Sequence, residues 1–358
     1  MIYNSIPGKF CGIIALAVLA IFARPSASCA DIILTVNGAG GAEYTTIQSA
    51  ISAVPAGNTT RYDIQIAPGT YTMTNTTQFK ITQPFITLQG MGSSRNSVIL
   101  TGNYTENQTG ITNDPYDHAT LVVAASDFIA ENLTVQNTAG LGNGQALAAY
   151  VKADRAIFAN DDILGNQDTL RAEYGRQYYV NDYIAGSVDF IYGHATAYIT
   201  NSDLYSTGSG YDSSPDILNV NDPESKGFVF AGDVLTGAPG TTSYLGRPWH
   251  EGGLAVYNDS YLGPNILAAG WTSGAAGQQT FAEHDDMNLD GSLANVSSRV
   301  SYSSQLTDAQ VAAYSYANWM NGADGWDPAS EVPEPASLAS MAFIVLAIAR
   351  RPRIRAAS

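Results

Sequence analysis

Short apolar and aromatic runs recur through the middle of the chain, each joined to the next by a polar corner. "FIAENLTVQN", "AIFANDDILGN", "YYVNDYIAGS", "AYITNSDLYS", "FVFAGDVLTG" and "LAVYNDSYLG" share that shape. Aligning Leu133, Ile163, Ile184, Leu204, Val234 and Tyr261 gives spacings between 20 and 30 residues. Self-similarity on that scale predicts a β-solenoid whose coils each bury a face against their neighbours. Asn and Asp tolerate left-handed backbone angles and hydrogen-bond their own turn, which suits a sharp bend between sheets. Two-residue Asn-Gly hairpin signals are largely missing, which weighs against a sandwich or barrel.

A solenoid has to close its ends. "YTTIQSAISAV" puts Ile47, Ala50, Ile51 and Val54 on one helical face behind a Thr N-cap, so it is expected to be the N-terminal cap helix. "QLTDAQVAAYSYANWM" has Thr307 and Gln310 at capping-box spacing and is expected to continue as a helix. Loops are expected at residues 102–114 and in "GSGYDSSPDILNVNDPESKG".

Both ends of the chain of 358 residues read as addresses. Residues 1–30 carry Lys9, an apolar run from Phe10 to Phe22 and the small residues "SASCA", the pattern of a secretory signal cut after Ala30. A lipoprotein cut before Cys29 is the weaker reading. Both cysteines, Cys11 and Cys29, leave with the signal, so the exported protein is expected to fold without disulfides. Residues 331–358 hold Pro-Glu-Pro, an apolar stretch from Leu338 to Ala349 and then four arginines. That stretch is short of the ~20 residues a membrane helix needs. The arrangement resembles a PEP-CTERM sorting tail, which implies transient membrane and exosortase contact and a secreted or outer-surface protein of a Gram-negative bacterium. Residues 31–330 are the expected catalytic domain.

Setting aside Lys9, Arg24, the four tail arginines and Glu334 leaves ten of 16 basic and 31 of 32 acidic side chains, a net charge near −21. Nucleic acid is a poor partner for such a surface.

Candidate chemistry lies in "GNQDTLRAEYGRQYYVNDYIAGSVDFIYG", where Asp168 and Asp189 stand in strand-forming surroundings that penalise an unused charge. A coil of about 21 to 23 residues puts Gln145, Asp168 and Asp189 at equivalent places on successive coils, about 4.8 Å apart. Gln167 joins them only if a bend reorients it. Two carboxylates that close split their proton affinities, so one can act as an acid while the other attacks. Arg247, in the stiff turn of "YLGRPWHEGG" beside Trp249, is the natural cation to decide which does which. Gln145 and Gln167 could stabilise an oxyanion, and the set describes hydrolysis of an ester through a covalent acyl intermediate.

At these residues the sequence resembles a known family. "GQALAAY", "GNQDTLRA", "GSVDFIYG" and "YLGRPW" are similar to successive signatures of the pectin methylesterases, with "DIQIAPGTY", "HATLVVAASDFIAENLTVQNTAG" and "QLTDAQVAAYSYANWMNGADGWDP" matching earlier and later blocks. The resemblance implies an all-β, right-handed single-stranded parallel β-helix. It implies a monomer that removes methyl groups from the galacturonate methyl esters of pectin without metal or cofactor. Position by position, it makes Asp189 the nucleophile, Asp168 the acid and later base, and Gln145 and Gln167 the oxyanion pair. Arg247 becomes the residue that holds Asp189 ionised, and Trp249 and Tyr192 become walls of the substrate cleft.

Three departures stand out. Arg171 replaces an aromatic after "QDTL", His194 replaces Asn after Gly193, and Thr72-Met73 follow Tyr71 where an acid is usual. Arg171 reads first as a solvated cation and second as a partner for a galacturonate carboxylate in the substrate-binding set. His118, His194, His250 and His284 are scattered without helical ligand spacing, which speaks against a zinc site. The competing functions are a non-catalytic glycan-binding or adhesive β-helix, a pectate lyase on the same architecture, and an esterase for another acyl substrate.

Overall fold

The computed structural model describes residues 31–73, 78–108, 118–216, 224–250, 252–272 and 278–332. The expected signal, both cysteines, all but the first two residues of the expected sorting tail and residues 109–114 of the expected loop lie outside them. Within them, strand after strand pairs in parallel with the equivalent strand of the next coil. An 11-stranded sheet runs from Ile32–Val36 to Ser304–Gln305, and a 14-stranded sheet combines the other two rows. The strands Tyr183–Gly193 and Asp203–Pro215 are long because each bends from one of those rows into the other. The result is a right-handed parallel β-helix, the hand that parallel crossovers almost always take.

The interior is a column of in-register side chains. Leu34, Ile64, Leu88, Ala130, Phe158, Tyr179, Ile199, Phe230 and Tyr257 stack along the 11-stranded sheet. All nine are buried. Aromatic pairs stack flat within it, Phe158 on Tyr179 at 5.1 Å and Phe230 on Tyr257 at 4.3 Å between ring centroids. The next position is Glu283, fully buried, which accepts hydrogen bonds from Arg299 (2.8–3.0 Å) and from Trp271 Nε1 (3.3 Å).

The polar corners do what their composition predicts. Asn132, Asn160, Asn181, Asn201 and Asp259 all have φ between 50° and 60°, and Gly232 takes the same role. The residue after each corner builds a buried ladder. Leu133 N–H donates to Asp161 (2.8 Å), Asp161 N–H to Asp182 (2.8 Å), and Asp182 N–H to Ser202 (3.1 Å). Ser202 N–H then donates to Asp233 (2.7 Å), Asp233 N–H to Ser260 (3.4 Å), and Ser260 N–H to Asp286 (2.9 Å). Each side chain thereby satisfies a backbone donor of the preceding coil that has no water to turn to.

Register is counted from these corners, and the apolar alignment needs correction there. Ile163, Ile184 and Leu204 do pair, but Leu204 meets Leu235 rather than Val234, and Ile163 meets Val135 rather than Leu133. Tyr261 pairs with Val234, while Leu262 is the residue in line with Leu235. The residue that points into the core is the third after each left-handed corner. A one-residue slip turns a side chain to the opposite face.

The helix Ile47–Ala53 caps the N-terminal end behind Thr46, whose side chain accepts the Ser49 N–H, and it buries Ile47, Ala50 and Ile51 as expected. The capping box of Thr307 and Gln310 also forms. The single helix expected after it does not: Asp308–Val311, a 3₁₀ turn at Ala312–Tyr314 and Tyr316–Met320 are separate pieces, and only Trp319 and Met320 are buried among them. The expected loop beginning at Gly208 is likewise strand up to Pro215. Asp212 points inward there: Ser206 donates to its carboxylate at 3.0 Å, and Ser243 on the neighbouring strand donates to the same oxygen.

Candidate active site

Tyr183–Gly193 loses register with the next coil twice, between Gly186 and Val188 and between Val188 and Ile191. Asp189 stands in the second break with φ 51°. One coil earlier Asp168 has φ 61°, and its N–H donates to the Val188 carbonyl at 3.0 Å. A left-handed non-glycine backbone costs of order 1–3 kcal/mol and persists only where the surroundings over-determine it. Here the ladder on either side fixes both bends, and both residues are buried, 4% and 6% exposed.

Glycine makes the close approaches. Gly193 follows at φ 129°, where a Cβ would lie 2.0 Å from the Ala172 carbonyl oxygen. At Gly246 a Cβ would fall 2.4 Å from Ser213 Oγ, so glycine brings the next residue, Arg247, over the Asp189 strand. Arg247 donates to Asp189 from Nε at 2.8 Å and from Nη2 at 2.5 Å, a bidentate pair, and its guanidinium lies 4.9 Å from the Tyr211 ring centroid.

Asp168 has no such partner. Burial first, and then the charge of Asp189, push its carboxyl up to about 7. A hydrogen bond from Tyr192 and the charge of Arg171 oppose that rise, and Glu106 adds to it. At neutral pH one carboxyl group is therefore poised to exchange a proton while its neighbour is clamped in an ion pair.

The two glutamines lie level with each other on adjacent coils. Ala146 N–H donates to the Gln167 carbonyl at 3.2 Å, which sets Ala146 level with Asp168 and Gln145 level with Gln167. Gln145 is thus one step away from its expected place in line with Asp168, because 22 residues separate these coils and 21 the next pair. The bend that Gln167 needed is present: the left-handed residue is its immediate neighbour Asp168. Both glutamines are half-buried.

Tyr150, Arg171 and Tyr192 form a row on three successive coils. The Arg171 guanidinium lies 5.5, 5.5 and 5.0 Å from the ring centroids of Tyr150, Tyr192 and Trp249. Its Nε donates to Glu173 at 2.6 Å, and its side chain is only 17% exposed. The reading of Arg171 as a solvated cation is corrected: three rings and a carboxylate enclose it. Trp249 meets Tyr192 edge-on at 5.1 Å.

Sequence reasoning missed Glu106, Tyr150, Glu173 and Tyr211. Tyr150 was available, one coil before Arg171. Tyr211 was hidden by the loop reading of its strand, and Glu106 approaches through an irregular segment with no periodic signal, its N–H donating to the Gln145 carbonyl at 3.1 Å.

Comparison with known proteins agrees with this architecture, and the class it defines is a carboxylic ester hydrolase built on a parallel β-helix. The sequence profile of the Pectinesterase family matches residues 31–323, and the chain belongs to that family. It is 34% identical over 285 residues to Pectinesterase 31 of Arabidopsis thaliana, covering 77% of this chain and 88% of the relative. Among solved structures it is similar to pectin methylesterase from carrot, with a TM-score of 0.75 and 27% identity over 84% of this chain and 97% of the other. The pectin methylesterase of Aspergillus niger gives a TM-score of 0.71 and 28% identity over 82% and 96%. The non-catalytic glycan-binding alternative is not favoured.

Proposed function

We propose that this enzyme hydrolyses the galacturonate methyl esters of pectin to methanol and free uronate, with Asp189 as nucleophile and Asp168 as acid and base. An Asp189 oxygen attacks the C6 carbonyl, and the amides of Gln145 and Gln167 receive the negative charge that develops on its oxygen. The tetrahedral adduct collapses as the C6–O bond to the methoxy group breaks and Asp168 gives its proton to the departing methanol. An anhydride between substrate and Asp189 remains. Asp168, now ionised, takes a proton from water, whose oxygen attacks the anhydride and releases the uronate and Asp189. Trp249, Tyr192 and Arg171 line the cleft, with the guanidinium suited to a neighbouring uronate carboxylate.

The observation that carries this reading is the contrast between the two carboxyl groups: Asp168 lifted to about 7, and Asp189 bound by Arg247 one coil away. The names of the relatives, pectinesterase and pectin methylesterase, support the substrate. The test is methanol release from methyl-esterified pectin by the wild type, Asp189→Asn and Asp168→Asn. Release surviving in Asp189→Asn at the wild-type rate would overturn the assignment.

The proposal extends to the ends of the chain. Residues 1–30 direct export, residues 31–330 form a monomeric catalytic domain, and residues 331–358 are a sorting tail processed by an exosortase at the envelope of a Gram-negative bacterium. The intact mass of the exported protein tests this, since cleavage at neither end would sink it.

A further inference from the structure

Behind Trp249 the structure gathers two histidines that lie 56 positions apart in sequence. His194 Nε2 is 3.3 Å and His250 Nδ1 is 2.7 Å from the same oxygen, Oδ2 of Asp216. The other nitrogen of His194, Nδ1, is 3.3 Å from Glu173 Oε2, the atom to which Arg171 donates. His194 and Asp216 are buried, with side chains 8% and 9% exposed, while His250 opens to solvent at 59%. The three candidate ligand atoms, one each from His194, Asp216 and His250, all lie within 4.8 Å of one another.

This arrangement sets a problem for a neutral imidazole, which carries one N–H and one lone pair. His194 faces a carboxylate oxygen at both nitrogens. Whichever nitrogen bears the hydrogen, the other directs a lone pair at an anionic oxygen. A cation beside Nε2 removes the conflict: Nδ1–H donates to Glu173, and the Nε2 lone pair, Asp216 and His250 Nδ1 converge on the ion. A carboxylate that fixes the outer nitrogen of a ligating histidine is the usual support of a metal site.

We propose that His194, Asp216 and His250 form a site for a divalent transition-metal ion of the zinc type, oriented by Glu173. Two imidazoles and one carboxylate suit Zn²⁺ and its neighbours, not Ca²⁺ or Mg²⁺, which take oxygen ligands. Tetrahedral arms of about 2.0–2.1 Å place ligand atoms about 3.4 Å apart. The contact between His194 and Asp216 already has that length at 3.3 Å. His250 has to swing outward by about 0.7 Å to reach it, which its exposure permits. A bound ion also offsets the Glu173 and Asp216 charges beside Trp249.

The test is calorimetric titration of the untagged full chain with ZnCl₂ at neutral pH, paralleled by Co²⁺ and its visible d–d bands. One Zn²⁺ per chain is expected, with tetrahedral Co²⁺ bands and no heat from Ca²⁺. Binding is lost in His250→Ala, a surface change that leaves the fold intact by circular dichroism, and in Asp216→Asn. Glu173→Gln weakens it by about 10- to 100-fold. Asp189→Asn binds Zn²⁺ as the wild type does, so this result does not depend on turnover. The proposal is overturned if no Zn²⁺ binds, if binding survives His250→Ala (as it would at the separate group of His284, Asp285 and Asp308), or if His194 keeps protons on both nitrogens in excess Zn²⁺ by nitrogen NMR.

Discussion

Arg247 reaches across 58 residues of chain to grip both oxygens of Asp189, with Nε at 2.8 Å and Nη2 at 2.5 Å. The fork geometry matters as much as the charge, because a lysine ammonium is a point charge that cannot span a carboxylate edge. Arg247→Lys is expected to lose one charged hydrogen bond, about 1.5–3 kcal/mol, and so to lower kcat/KM roughly 10- to 100-fold. Steady-state methanol release checks this, and an unchanged rate would remove Arg247 from the machinery.

Asp168 supplies a pH signature. With its carboxyl at about 7, the neutral acid is present below that value and is lost above it, so kcat/KM should fall as pH rises through about 7. Glu106 helps to hold that value up. Glu106→Gln should therefore move the alkaline limb to lower pH. A limb that stays in place in the variant would show that Asp168 is not the titrating acid.

The buried ladder predicts a second pH effect, on stability. Burial lifts Asp182 to about 8 from an ordinary 3.8, and lifts Asp161, Asp233 and Asp286 well above the ordinary range. A raised folded-state value means that the stabilising contribution is complete below about 4 and is lost as pH climbs through about 8. Asp182→Asn keeps the acceptor for the Asp161 N–H and removes the ionisation. Its Tm at pH 8 is expected to exceed the wild-type value by roughly 2 °C, with a smaller difference at pH 5. Thermal unfolding followed by circular dichroism at both pH values decides it.

The excess of acids, a net charge near −20 over residues 31–330, should repel a de-esterified polyanion. Rates are expected to be higher on densely methylated pectin than on sparsely methylated pectin at low salt, with the gap narrowing as salt screens the charges. Equal or faster turnover of the sparsely methylated substrate at low salt would contradict this.

Much of this architecture was legible because solenoids write their period into the chain. The corner residues Asn132, Asn160, Asn181 and Asn201 identify themselves by composition, and they take the left-handed geometry that composition implies. The same corners set the register, so an alignment on apolar character put Leu133 and Val234 out of line. Asp168 and Asp189 were visible as charges in strand-forming runs. What the sequence hid was lateral: the ring of Trp249 beside Arg171, and His250 beside His194. Neighbours across a coil carry no fixed spacing when coil lengths vary, so linear patterns do not reveal them. Polar strands were also concealed, since Gly208–Pro215 looks like a loop until its inward-facing Asp212 finds Ser206 and Ser243.

The two-residue strand Ser304–Gln305, which ends the 11-stranded sheet, has a consequence for solution behaviour. Stacked strands invite a second molecule to continue them, and end-to-end growth into a fibre is the standing hazard of such a shape. Any newcomer docking on this terminus would find only the two-residue strand Ser304–Gln305 to pair with, and both of its residues are polar and exposed. The molecule refuses its own extension at that end.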